Sequence, residues 1–219
     1  LLAVKKEDVK KLEELIQKWD SILKDEYHTN DSGVNVTLVK KEENHKVFSK
    51  DTTFKAIKIM NLIPDGVDTY SIEMKGLVQS STNLGVVTTE GDKIVFASST
   101  RSSVETLKTK LLDEIADVAE VLGGEFEIQA PYPAWQYNPD SKIRELCSNV
   151  YKNMTGKDPE IIAIHAGLEC GLLGEKIEGL DMISFGPNMY DVHTPNEHVS
   201  ISSVKNVWDF LVDILKAIK

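Results

Sequence analysis

The segment APYPAWQYNPDS, residues 130–141, constrains this chain more than any other feature. Its three prolines fix φ and remove backbone donors, so it can continue neither a helix nor a central strand. It is read as a seam, and the hydrophobic pattern differs on its two sides.

Before the seam, Val9, Leu12, Ile16, Trp19 and Leu23 recur at three- and four-residue spacing, which predicts an amphipathic helix over 5–27. The turn residues Asn30, Asp31, Ser32 and Gly33 follow, and the alternating NVTLV after them predicts a strand. A second helix is expected over Thr53–Leu62, stopped by Pro64, with Asp65 and Gly66 forming a turn. Two strands, over Lys75–Thr88 and Lys93–Ser98, are joined by Glu90, Gly91 and Asp92 in a hairpin pattern. A helix over Val104–Leu122 closes on Gly123 and Gly124, and EFEIQA reads as one more strand. Hairpins rather than crossovers predict an α+β layer, with helices on one face of a largely antiparallel sheet.

After the seam the order changes. A helix over Ser141–Met154, the strand EIIAIHA, a short helix, the strand DMISFG and a last helix over Ser203–Ile218, capped by Ser202, alternate as in a parallel α/β sheet. Roughly ninety residues with two strands make too small a parallel sheet to cover both its edges. The second part therefore reads as half a domain, and uncovered apolar surface is expected there.

Charge and cysteine usage exclude several classes of function. The net charge is −10, from 25 basic and 35 acidic residues, and no run of Lys or Arg could neutralise a phosphate backbone, so nucleic acid is not an expected partner. No stretch reaches the eighteen or so apolar residues of a membrane helix, and the amino terminus lacks signal-peptide architecture. Cys147 and Cys170 form no CxxC pair and read as buried thiols in a reducing compartment, the cytoplasm. The chain begins at Leu1 without a methionine, directly before its first helix, which reads as a start partway through something longer.

Three positions carry candidate chemistry. His193, in DVHTPNEHVS, follows the carboxyl end of a predicted strand, where open α/β sheets place their sites. Its imidazole could bind zinc with Asp191 or Glu197 orienting the ring, although a lone loop histidine is more often a hydrogen-bonded surface residue. Gly167, in IHAGLECG, would let backbone approach a ligand closely or let a helix start tightly, and a plain strand-to-helix turn fits as well. Arg101, in SSTRSS, could hold a carboxylate through two parallel hydrogen bonds; a solvated arginine beside a serine helix cap is the plainer account. There is no Ser-His-Asp arrangement, P-loop or dinucleotide fingerprint.

Taken together, HAGLECG, DMISFGP and DVHTPNEHVSISSV, with SSTNLGVV and FASSTRSS upstream, resemble the carboxyl-terminal part of aminoacyl-histidine (Xaa-His) dipeptidases, a branch of the dizinc exopeptidases. The resemblance runs through the whole chain in order. It implies residues 1–130 as the later part of a lid or dimerisation domain with an antiparallel sheet, and residues 131–219 as the carboxyl-terminal part of an α/β catalytic domain. It implies hydrolysis of dipeptides ending in histidine by metal-activated water, with His193 a zinc ligand, Arg101 the grip on the substrate's terminal carboxylate and Gly167 a backbone contact.

In the family, the catalytic glutamate, bridging aspartate and other zinc ligands lie in His-x-Asp and Glu-Glu motifs of the amino-terminal half of the catalytic domain, and this sequence has no His-x-Asp. One imidazole cannot hold two metal ions, and without the glutamate no general base activates the water. The chain alone is therefore expected to be inactive. Its expected partners are the dipeptide, the missing amino-terminal half of the enzyme and a second copy in a homodimer; its cofactor in the intact enzyme is a pair of zinc ions. Two alternatives stay open: a non-catalytic dimerisation or binding module, and part of a related dizinc carboxypeptidase or deacylase.

Overall fold

A computed structural model describes residues 3–41, 46–163 and 169–218. The chain divides into two compact units, residues 1–56 and 57–219, with the division falling inside a helix.

In the first unit a 3₁₀ turn, Lys6–Asp8, leads into α1, Val9–Tyr27. The expected helix is present, yet none of its residues is buried. Asp20 ties the following segment back to it: one carboxylate oxygen accepts from the Val36 amide at 2.8 Å, and the other is 2.7 Å from the Lys24 ammonium. The strand expected at NVTLV is not present: among the described residues, 35–39 take part in no ladder. The Ser49 hydroxyl accepts from the Thr52 amide at 3.0 Å and starts α2, Lys50–Leu62, three residues before the sequence places it.

The second unit is built on a three-stranded antiparallel sheet of order β1-β2-β3: Gly66–Tyr70, Val78–Glu90 and Lys93–Ser102. The predicted hairpin is the β2–β3 pair, running from Ser80 opposite Ser102 to Glu90 opposite Lys93. Gly91 closes it with φ +63°. A positive φ at the first central residue alone is the II′ pattern, whose twist suits a two-residue hairpin. The first strand is a correction, since Asp65 and Gly66 read as a turn. Gly66, at φ +100°, instead opens β1 opposite Thr82, and the Asp65 carboxylate accepts from the Leu84 amide at 2.7 Å.

The sheet's best-buried residues are polar. Ser80 and Thr82 are shut off from solvent, and their hydroxyls pair with Thr69 at 2.6 Å and Thr100 at 2.9 Å across the strands. These bonds let hydroxyls occupy a buried face without the penalty of an unmet donor. Helix α3, Glu105–Val121, lies on this sheet and buries Leu111. Lys110 reaches from it to Asp68 of β1 at 2.9 Å.

Past residue 130 the helices follow expectation and the strands do not. Ser141 caps α4, Lys142–Thr155, by accepting from the Arg144 amide, and Gly156 ends it at φ +74°. Helices α5, Glu169–Lys176, and α6, Ile201–Ala217, are also present. Expected to start behind a Ser202 cap, α6 starts two residues earlier. The Ser203 hydroxyl accepts from the Asn188 amide and donates to the Ser200 carbonyl, which pins the first turn there.

Among the described residues, 125–130, 160–163 and 181–186 form no strand, although the sequence places strands over all three. A strand needs a hydrogen-bonded neighbour to complete its ladder, and among the described residues these runs complete none. A short β4–β5 pair, Met189–Tyr190 with His198–Val199, brackets the segment that carries His193. No described helix is long and apolar enough to cross a membrane.

Candidate functional site

Within the second unit a groove of about 820 Å³ opens between the end of the sheet where β2 starts and β3 finishes and the helices beyond the seam. Its lining includes Thr100, Arg101, Lys108, Tyr132, Cys147 and Phe210. Arg101 sits opposite Ser81 near the end of β3, so strand register places it at the groove. The Ser102 hydroxyl beside it accepts from the Val104 amide at 3.0 Å, but the serine cap expected for α3 is not formed: Val104 takes the cap position and no side chain caps the helix.

The seam is a packed wall of this groove rather than a loose connection. Lys108 of α3 donates to the Tyr132 carbonyl at 2.9 Å and pairs with Glu105 at 2.7 Å. On the other side Gly171 lies so close to the seam that an added Cβ would meet the Pro133 carbonyl oxygen at 2.7 Å. Only glycine permits that approach.

The far wall is aromatic. Phe210 of α6 makes edge contacts with Tyr151 of α4 and with Phe185, at ring separations of 5.7 and 5.0 Å. Burial pushes the Cys147 and Cys170 thiols up from their ordinary value, so both stay protonated at neutral pH and neither is a poised nucleophile. Burial also raises the Tyr132 phenol, with Glu169 and then Cys170 adding to it, which keeps the hydroxyl a donor.

His193 stands elsewhere in the fold, on the tip joining β4 to β5, and the described lining of the groove does not include it. Its φ is +66° and that of Asp191 is +51°, left-handed values that non-glycine residues seldom take. Local bonds hold the tip in place. The His193 amide donates to the Glu197 carboxylate at 2.8 Å, and the Thr194 amide and hydroxyl both donate to the Asp191 carbonyl. His198 stacks on Tyr190 at 5.1 Å, with its Nδ1 3.8 Å from the Asp191 carboxylate.

The donor set does not fit a metal centre on its own. No three His, Cys, Asp or Glu side chains converge among the described residues, and the Glu197 carboxylate is engaged by a backbone amide. One exposed imidazole falls short of the three or four protein ligands that zinc takes. Gly167 lies outside the described residues.

Lys108, Tyr132 and the aromatic wall escaped the sequence reading. The prolines and aromatics of the seam were visible, and their density could have marked a binding wall, but linear spacing does not reveal what a seam packs against.

Comparison with known proteins places this geometry. Residues 11–217 match Peptidase family M20/M25/M40. The cytosol non-specific dipeptidase of Escherichia coli (strain K12) is 32% identical over 219 residues, covering 99% of this chain and 45% of that protein. The crystal structure of aminoacylhistidine dipeptidase from Vibrio alginolyticus superposes with a TM-score of 0.82 at 34% identity, over 97% of this chain and 44% of that one. The aminopeptidase PepT of Bacillus cereus, at 17% identity and a TM-score of 0.55 over 75% of this chain and 44% of that one, shares the fold. The chain thus spans less than half the length of the relatives it matches. With a match over nearly all of its length, together with the small antiparallel sheet and helices of the dipeptidase fold, the chain belongs to peptidase family M20/M25/M40.

Proposed function

We propose that this chain is the substrate-holding part of a metal-dependent dipeptidase of the cytoplasm, inactive by itself, and that the whole protein cleaves dipeptides of the Xaa-His type. Residues 1–130 are the later part of a lid and dimerisation domain, and residues 131–219 the carboxyl-terminal part of the catalytic domain. The observation that carries this reading is that Arg101 lines the groove, with Ser102, Ser103 and the aromatic side chains Tyr151, Phe185 and Phe210 in the same lining. A guanidinium fork at the end of a strand suits a dipeptide's terminal carboxylate, and the aromatic wall suits its side chain.

His193 supplies one metal ligand from the β4–β5 tip. A zinc ion held with ligands from the other half would supply polarisation of the scissile carbonyl and activation of water. The remaining ligands and the proton-shuttling glutamate come from the amino-terminal half, and Gly167 offers a backbone contact to the substrate. Dipeptidase activity is supported by the names of the two relatives at 32% and 34% identity, one called non-specific and the other aminoacylhistidine.

The test is to supply the missing half and assay Xaa-His dipeptides against carboxypeptidase and acyl-amino-acid substrates, with and without a chelator. Zinc-dependent dipeptide cleavage is expected. Arg101→Ala should then raise KM about 10- to 100-fold with little change in bound metal, the worth of one charge-assisted pair. No rate above background with the complement present would sink the proposal.

A further inference from the structure

The path from Arg101 to the seam is hydrogen-bonded at each step. Arg101 lies opposite Ser81 in the β2–β3 ladder. Just past the strand, the Ser103 amide donates to the Gln79 carbonyl at 3.1 Å, and the Ser102 hydroxyl accepts from the Val104 amide. The Val104 carbonyl accepts in turn from the Lys108 amide at 3.1 Å, and the Lys108 ammonium ends the path on the Tyr132 carbonyl. Strand end, turn and first turn of α3 are thereby tied to the seam.

The seam is fixed just as closely to the rest of the groove. At Gly171, α5 passes under Pro133 too closely for a Cβ. Farther along, the Arg144 guanidinium of α4 donates to the Asn138 and Pro139 carbonyls and lies over the Tyr137 ring, 4.6 Å from its centre. Pro131, Pro133 and Pro139 hold φ along the same stretch. The span from Arg101 to the start of α5, two residues after Gly167, is therefore set through the seam.

Lys108 is the side chain on which that span depends, since the steps before it are backbone or short turn bonds. It is 15% exposed, and its ammonium bridges the seam carbonyl and the Glu105 carboxylate, 2.7 Å away. Holding an ammonium there removes it from water, a cost that an apolar side chain covering the same stretch would not carry. The charge adds a defined distance, because a charge-assisted bond fixes its partner where apolar packing lets it slide.

We propose that Lys108 is a positioning residue that sets the length of the groove and so selects dipeptides over tripeptides. This rests on the reading of Arg101 as the grip on a dipeptide's terminal carboxylate. One more residue carries that carboxylate about 3.5 Å farther from the scissile bond. While Lys108 ties the end of β3 to the seam, Arg101 cannot retreat by that distance. With the tie cut, it can.

The experiment uses the chain complemented with the missing half, with a chelator present to stop cleavage, and measures the binding of Ala-His and Ala-His-Ala by calorimetry. The parent should prefer the dipeptide at least about tenfold. Lys108→Met, which keeps the stem and drops the ammonium, should cut that preference at least about fivefold, and Lys108→Arg should restore it to within about twofold. Glu105→Gln should act in the same direction as Lys108→Met, and it decides the matter if that variant does not fold. Lys110→Met removes an ammonium of the same helix that reaches Asp68 instead of the seam, and should leave the preference unchanged. An undiminished preference in Lys108→Met, or an equal loss in Lys110→Met, overturns the proposal, as does a parent that binds both peptides alike or neither. Cleavage after the chelator is replaced by zinc separates the two readings. Dipeptide cleavage by a protein whose preference ignores Lys108 leaves the functional reading standing. A preference that follows Lys108 in a protein that cleaves no dipeptide upholds the positioning role and removes the dipeptidase reading instead.

Discussion

The β2–β3 hairpin and the stretch after residue 156 carry comparable strand-like patterns and meet opposite fates. In the hairpin, residues close in sequence pair from Ser80–Ser102 down to Glu90–Lys93, and Gly91 supplies the turn. Beyond residue 156, the described parts of the two apolar runs, 160–163 and 181–186, form no ladder, and the paired strands there are two residues each. A hairpin carries its partner a few residues away. A strand of a parallel sheet takes its neighbour from across a crossover or from a distant part of the polypeptide. The difference teaches that pattern specifies readiness for a sheet, and that a partner must still be present for one to form.

Hydrogen exchange sharpens this contrast most. Ladder amides of β2 and β3 should exchange at least about 100-fold more slowly than those of 160–163 and 181–186. Equal rates would mean that the hairpin is no better held than the unpaired runs. Next in size, Leu111→Ala should cost about 2–5 kcal/mol in urea denaturation followed on the sheet, because the side chain is 1% exposed between α3 and the strands. A loss confined to the region past 130 would break the assignment of Leu111 to the hairpin's core.

Gly171→Ala tests the other region. The new Cβ would press on the Pro133 carbonyl, and about 1–3 kcal/mol of destabilisation is expected, read as a lower Tm with the hairpin signal preserved. An unchanged Tm would show that the seam gives way freely.

The smallest effect is a pH dependence. The hydrogen bond from Lys110, and then that from Ser80, holds the Asp68 carboxyl below the usual carboxylate range. The unfolded chain therefore binds the proton first as pH falls, so this contribution is fully present above the ordinary carboxylate pKa and is lost as pH drops through the depressed one. Asp68→Asn should flatten that part of the acid limb. A variant as acid-sensitive as the parent would place the titration elsewhere.

Much of the helical architecture was legible. Periodic apolar spacing marked all the long helices, and local chemistry set several ends, with Ser141 and Gly156 framing α4 and Gly123, at φ +72°, closing α3. The short β1 was not legible, because the sequence around Asp65 and Gly66 reads as a turn, and only the Leu84 amide and the edge of β2 convert it to a strand. Of the candidate site residues, Arg101 lines a groove, His193 stands on a different tip and Gly167 lies outside the described residues.

By itself the sequence determined the helices, the hairpin turn and, through its motifs, the family. These rest on interactions between residues near one another in the chain, or on residue types that chemistry singles out. Tertiary structure alone decided that Lys108 binds the seam, that Gly171 must stay bare beneath Pro133, and which apolar runs find a ladder. Each depends on what lies opposite in space, and burial is a property of a residue and its neighbour together.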